Sequence, residues 1–280
     1  VAAIGGFIIF FNLFIIYFYN LHYQVIDENL NYLIIFSFLI FLICIYDDKY
    51  NLSAIIKFIL ITIFVFSAIL FDNNFIIEEI NFTSLNFVIF LHNYSIFFTL
   101  LSVMLLINAL NMFDGVNLQL SSYVLYFFIY LILNNIFPIF LFLMIIPLIF
   151  FLYLNYHNRS FLGDNGSCLL AFIIAYVVIF HNKSFVNLDA EKLFLLMFLP
   201  GVDMFRLFLF RIYNQKNPFK ADRTHIHHLL LNKLGKKSYY TITHFFLITP
   251  IILINFFNNL FLISFYLIFY ILLLFYLYKK

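Results

Sequence analysis

Residues 30–49 read LNYLIIFSFLIFLICIYDDK, an almost unbroken apolar run that stops on Asp47, Asp48 and Lys49. A helix needs about 20 mostly apolar residues to cross a hydrocarbon core of roughly 30 Å. Residues 30–46 are therefore predicted to span a bilayer and to leave two carboxylates at its edge. Outward from this stretch the pattern repeats. Apolar runs bounded by charged or Asn-rich breaks occur at 1–19, 30–46, 53–71, 94–110, 118–133, 136–154, 167–180, 193–210, 240–257 and 260–278. The run 167–180 is short, and 118–133 is parted from 136–154 only by Asn134 and Asn135. The stretch 72–93 is too polar to span and is expected to form a small exposed hairpin.

Composition supports the same reading. The 280 residues are 65% hydrophobic and 10% charged, with 44 Phe, and their mean hydropathy is +1.05. Soluble globular chains are roughly 25% charged, so a soluble fold is excluded. The two cysteines, Cys44 and Cys168, sit inside apolar runs. They exclude a disulfide scaffold and read as small hydrophobes. A net charge of +2 offers no basic face to nucleic acid. The fold class is all-α, a polytopic integral membrane helical bundle of about ten transmembrane helices. No internal repeat or linker divides it, so one domain is expected over 1–280.

Basic residues set the orientation. With Lys279 and Lys280 in the cytoplasm, ten crossings place the N-terminus there too. All but Lys183 and Lys192 of the 15 basic residues then lie on the cytoplasmic side, as the positive-inside rule expects. Six acidic residues share that face at helix ends or in short loops: Asp47, Asp48, Asp114, Asp164, Asp203 and Asp222. Active-site loops are expected at 47–52, 108–117, 155–166 and 211–238.

Carboxylate and amide oxygens without thiolates suit Mg²⁺, with Mn²⁺ able to substitute. Lys57, Arg206 and Arg223 would take phosphate oxygens. With His225, His227 and His228, the array suits phosphoryl transfer, which rests mainly on positioning and charge neutralisation. Each motif alone also has a plain structural reading. Asp47-Asp48 would be a solvated helix end. Asn108, Asn111 and Asp114 would mark one helix face running into a cap at Gly115. Gly163-Asp164-Asn165-Gly166 would be an ordinary turn. Asp203 and Arg206 would be an intrahelical ion pair, and His-x-His-His lacks the fourth ligand of a zinc site. Co-location on one face favours a site.

In chain order, Gly5-Gly6, Asp47-Asp48, Asn108 to Gly115, Phe161 to Ser167 and Pro218 to His228 resemble the motifs of a known family. It comprises the polyprenyl-phosphate N-acetylhexosamine-1-phosphate transferases, glycosyltransferase family 4. The similarity is greater to its bacterial members that use UDP-GlcNAc and undecaprenyl phosphate. The run Asp222 to His228 resembles the polysaccharide-initiating branch more than the peptidoglycan branch. The resemblance implies that Asn111 and Asp164 bind magnesium, and that Phe161 packs on uracil. It implies catalytic carboxylates at Asp47, Asp48, Asp114 and Asp164. Asn108, Asn111 and Asn117 would hold the nucleotide-sugar, with Arg223, His225, His227 and His228 closing over sugar and diphosphate. Lys57 would lie near the lipid phosphate. Because family members begin with a helix ahead of the double glycine, a further N-terminal helix missing before Val1 is expected.

Two departures bear on the sugar more than on the reaction. Asn117 stands where bacterial relatives usually carry a second Asp, although an amide can still pair with uracil. Leu118 and Gln119 are less expected there. The reaction implied is attack by a polyprenyl-phosphate oxygen on the sugar-linked phosphorus of a UDP-N-acetylhexosamine. UMP would leave, and a lipid-linked cell-surface polysaccharide would begin on the cytoplasmic leaflet of a bacterial plasma (inner) membrane. Alternatives are the same chemistry with another UDP-N-acetyl sugar or the peptidoglycan precursor, or, in a different class, a membrane transporter or scaffold. The implied partners are the nucleotide-sugar, the lipid phosphate and the bilayer. A homodimer is compatible with this reading, and no nucleic acid is implied.

Overall fold

The computed structural model describes residues 4–23, 30–184, 188–215 and 224–279. They divide into two compact units, 1–80 with 89–187 and 81–88 with 188–280. The first unit is built from α1 (Gly5–Tyr23), α2 (Leu30–Tyr50), α3 (Ala54–Phe71), α4 (Ser95–Phe113), α5 (Gln119–Leu133), α6 (Pro138–Tyr156) and α7 (Gly163–Ser184). These helices follow the apolar runs to within a few residues. The break at Asn134-Asn135 holds: Asn135 and Phe137 take left-handed φ values of 58° and 40°. Pro138 then opens α6, where no backbone N–H is required.

The axis of this unit is α7. It packs against α1, α2 and α4, and every residue from Cys168 to Phe180 is buried. Gly163, Gly166, Ser167, Cys168, Ala171 and Ala175 keep its surface small, so neighbouring helices can approach closely. The amides of Gly5 and Gly6 donate to the carbonyls of Phe161 and Leu162 at 3.0 and 3.3 Å. Helix α1 therefore starts against the turn that starts α7. A Cβ on Gly6 would stand 1.7 Å from Asn165 Oδ1, so the position is closed to any side chain. About 30 Å of helix separates Gly163 from Lys183, the thickness of a hydrocarbon core. At that far end Lys183 Nζ donates to the Asn73 carbonyl and to Glu78, at 2.6 and 2.7 Å.

The outer helices expose large apolar side chains, including Ile55, Ile59, Ile63 and Leu70 on α3 and Phe142, Ile146 and Ile149 on α6. This is the lipid-facing surface of a multi-pass membrane protein. Among the described residues seven helices are long and apolar enough to cross a membrane, or eight if one bent pair is a single span. The remaining expected spans fall on α5, which is apolar but has 15 residues, and on the longer α10.

In the second unit lie α8 (Ala190–Leu196), α9 (Phe198–Tyr213), α10 (Ile226–Leu253) and α11 (Asn259–Tyr278). It also holds the tip of the hairpin expected within 72–93, whose strands are β1 (Glu79–Phe82) and β2 (Phe87–Phe90). Helices α8 and α9 meet at 82°. Asp189 caps α8 by accepting from Lys192 N at 2.9 Å. Glu191 accepts from Ser84 Oγ at 2.7 Å and from Asn259 Nδ2 at 3.3 Å. Helix α10 is two helices joined at Gly235, whose φ of 77° suits glycine and few other residues. Lys233 Nζ meets the carbonyl of Tyr276 at 2.8 Å, where the α11 dipole is negative.

Two of the helical glycines, Gly6 and Gly201, should respond oppositely to alanine. Gly201 has nothing within 4 Å of a built Cβ, so Gly201→Ala should be neutral or gain up to about 1 kcal/mol of helix propensity. Gly6→Ala forces α1 off the α7 turn and should cost about 1–3 kcal/mol or more. Thermal unfolding in detergent should show a lowered midpoint for Gly6→Ala alone. Equal midpoints would mean the α1–α7 contact is slack.

Candidate active site

Four helix ends of the first unit supply the site. Helix α2 continues to Tyr50, so Asp47 and Asp48 occupy its last turn instead of a loop. Helix α7 begins at Gly163, with φ 74°, so Asp164 and Asn165 occupy its first turn. The two ends are joined by Asp48. Its carboxylate accepts from the backbone amides of Asp164 and Asn165 and from Asn165 Nδ2. Such amides have no partner within their own helix, and the helix dipole favours an anion there.

Asp47 Oδ1 accepts from Leu52 N at 2.8 Å, which fixes the tight turn after α2. Ser53 caps α3 by accepting from Ile56 N at 3.3 Å, and Lys57 follows one turn in. The Lys57 ammonium pairs with Asp47 Oδ2 at 2.8 Å and also with Asp164. One cation is thus shared by the ends of α2 and α7. From α4, Asn111 Oδ1 accepts from Ser167 Oγ at 2.8 Å, and the same hydroxyl lies 3.3 Å from the Asp164 carbonyl. Asp114 closes α4. Burial pushes its carboxyl from 3.8 up to about 7, and the negative Asp164 adds to the rise.

Other expected ligands are placed differently. Asn108 Nδ2 turns back to the Met104 carbonyl at 2.9 Å. Asn117 Nδ2 donates to Asn158 Oδ1 at 2.6 Å, and Asn155 Oδ1 accepts from Leu118 N at 2.6 Å. Asn117 therefore helps clamp the start of α5 to the end of α6, with Leu118 held at φ 68°. Phe161 is 43% exposed, and its carbonyl is pinned by Gly5, leaving an aromatic face beside the α7 start. Asn165, Ser167 and Gly6 bind the site together, roles that the motifs containing them did not announce. The tight Gly5-Gly6 pair was the available signal for Gly6.

Asp47, Asp48, Asp114 and Asp164 gather four carboxylates with one ammonium. Asp164, whose side chain is 41% exposed, and the Asn111 amide oxygen, which keeps a second lone pair, are hard donors. Among the described residues no group of three or more His, Cys, Asp or Glu forms a metal cage. The donor set fits Mg²⁺ or Mn²⁺, which take few protein ligands and complete their shell with phosphate and water. Cys44 and Cys168 are buried free thiols, one turn behind Asp48 and Asp164.

Arg223 lies outside the described residues. His225, His227 and His228 belong to the second unit. His225 Nδ1 is 3.0 Å from Asp203 Oδ2, and its ring stacks on His227 with centroids 5.3 Å apart. Burial, followed by the neighbouring His228 and His225, pushes His227 down to about 3, so its ring is neutral at pH 7. Arg206, expected to take phosphate oxygens, is instead tied inside that unit. Its guanidinium bonds Asp203, Tyr270, Tyr278 and the Thr224 carbonyl at 2.7–3.2 Å. Its place on α9 beside a buried carboxylate explains the difference.

The helices and the site define a polytopic membrane protein with an oxygen-rich cluster at one end of its first bundle. Residues 30–182 match the family described as glycosyl transferase family 4, and the chain belongs to it. The matched residues run from the start of α2 almost to the end of α7 and carry every first-unit site residue from Asp47 to Ser167. The chain is 29% identical over 147 residues to the undecaprenyl-phosphate alpha-N-acetylglucosaminyl 1-phosphate transferase of Escherichia coli K12, covering 48% of this chain and 40% of that protein. It is 25% identical over 202 residues to the Salmonella typhi protein of the same description, covering 66% and 53%. The chain spans about half the length of the curated relatives it matches.

The Asp114 shift fixes a pH dependence. A carboxyl raised from 3.8 to about 7 holds its proton more tightly in the folded state than in the unfolded chain. Its contribution is complete below about pH 4 and is lost as pH rises through about 7. In chelator, the parent should lose stability over that window, by up to about 4 kcal/mol. Asp114→Asn should flatten that decline in thermal melts taken from pH 4 to pH 8. An identical decline in both proteins would place the titration elsewhere.

Proposed function

We propose that the chain catalyses transfer of N-acetylhexosamine-1-phosphate from a UDP-sugar, UDP-GlcNAc first, to a polyprenyl phosphate such as undecaprenyl phosphate. The observation that carries this reading is the convergence of Asp47, Asp48, Lys57, Asn111 and Asp164 from four helix ends of one bundle. It is supported by family membership and by relatives named for this reaction. A phosphate oxygen of the lipid attacks the sugar-linked phosphorus. The bond from that phosphorus to the bridging oxygen breaks, and UMP leaves with the electron pair. The product is a polyprenyl diphosphate sugar on the cytoplasmic leaflet of a bacterial plasma membrane.

The residues divide the work. A phosphate monoester has a second pKa of roughly 6 and is mostly dianionic at pH 7, so the nucleophile needs no strong base. Asp47 and Asp48 already accept hydrogen bonds from Leu52, Asn165 and the α7 amides, or pair with Lys57. That saturation supports an orienting role over proton removal. Lys57 supplies positive charge to the acceptor phosphate, and Phe161 offers its exposed ring to the uracil. Asn111 and Asp164 would hold Mg²⁺, which supplies charge neutralisation for the diphosphate. The histidines at 225, 227 and 228 are read as sugar and diphosphate contacts.

Asp164→Asn keeps the shape of the side chain and removes one charge. UMP release by purified protein, given UDP-GlcNAc and undecaprenyl phosphate, should fall at least about a hundredfold, the usual scale for losing one preorganised electrostatic interaction. EDTA should abolish turnover, and Mg²⁺ or Mn²⁺ should restore it. Glu78→Gln, at the far end of the same unit and 60% exposed, should behave as the parent. Near-parental turnover by Asp164→Asn would remove the assigned site, and an equal loss in Glu78→Gln would indicate general damage.

A further inference from the structure

Asp203 lies on α9, buried at 3% exposure, outside the carboxylate cluster of the first unit. Its Oδ1 accepts from Arg206 Nε and Nη2 at 3.1 and 2.7 Å and from Tyr270 OH at 2.9 Å. Its Oδ2 accepts from His225 Nδ1 at 3.0 Å, and both oxygens lie 3.3 Å from Ile226 N. Arg206 Nη2 donates in turn to the Thr224 carbonyl at 2.9 Å. The Asp203–Arg206 pair therefore grips three consecutive residues at the start of α10: a carbonyl, an imidazole and an amide. A simple strut between helices would need one such bond. Three in sequence fix both the path of the backbone and the angle of the ring.

The pair also fixes where the His225 proton sits. A carboxylate only accepts, so the ring nitrogen facing Asp203 carries hydrogen. The neutral tautomer that fits this contact is protonated on Nδ1 and bare on Nε2. Stacking on His227, with ring planes 10° apart, resists rotation. We propose that Asp203, held by Arg206, is a positioning residue that acts through His225. It keeps that ring in the Nδ1–H tautomer, so that Nε2 is offered as an acceptor to a hydroxyl or N-acetyl N–H of the sugar. The proposal rests on the reading that His225 contacts the nucleotide-sugar.

The full chain labelled with ¹⁵N-histidine tests it, with the His225 signals assigned by their loss in His225→Asn. The parent should show Nδ1 protonated and Nε2 bare. Asp203→Asn should lose that preference, and Asp203→Glu, which keeps the carboxylate, should restore it. In UMP release, Asp203→Asn should raise the KM for UDP-sugar about tenfold, the worth of one well-placed hydrogen bond. Adding Asp203→Asn to His225→Asn should cost nothing more, because the two act as one unit. A parent His225 protonated on Nε2 overturns the proposal, as do multiplying losses in the double variant. If Asp203→Asn does not fold, the parent tautomer and the Asp203→Glu kinetics decide alone. A parent that releases no UMP yet shows the Nδ1–H tautomer would overturn the functional reading and leave the Asp203–His225 coupling standing.

Discussion

A carboxylate at the end of one helix sits on the open amides at the start of another, and the first unit depends on that contact. Asp48 closes the last turn of α2 and satisfies backbone N–H groups of α7 that no intrahelical carbonyl can reach. The open amides and the dipole of a helix start both favour an anion there. The junction orders the first turn of α7. Once it is made, Asp164, Asn165 and Ser167 have fixed directions. Gly6 must stay bare to let α1 pass, and Asn111 finds Ser167 across the α4–α7 interface.

The apolar runs were legible because the hydrocarbon core imposes a length, and a length can be read one residue at a time. The hairpin within 72–93 and the break at Asn134-Asn135 were legible for a related reason, since polar residues interrupt apolar runs where chains turn. The gathering of Asp47, Asp48, Asn111 and Asp164 followed from topology, which puts their helix ends on one face. Their division of labour did not. That Lys57 is shared by Asp47 and Asp164 depends on the rotation of α3, which its uniformly apolar sequence leaves undetermined. Arg206 shows the same limit: its spacing from Asp203 suggested an ion pair within the helix, and only packing gave its other partners.

Asparagine is used here where a soluble protein would rely on water. Asn117, Asn155 and Asn158 join the start of α5 to the end of α6 through direct bonds. An amide both donates and accepts without carrying charge, so the clamp adds nothing to the negative field of the nearby carboxylates. This gives the Asn at 117 a structural logic in place of a second acidic residue. It also accounts for the tolerance of Leu118 at a left-handed φ, since its amide is held by Asn155.

Lys57 has a consequence for assembly. Four acidic side chains brought to one end of a bundle repel one another, and a cluster of this kind commonly waits for an ion before it will form. Here a tethered ammonium reaches two of the four. The helices can close around their own counter-ion during insertion. A charge carried by the chain itself is present from the moment the helices meet, so closing this end of the bundle draws on nothing outside the sequence.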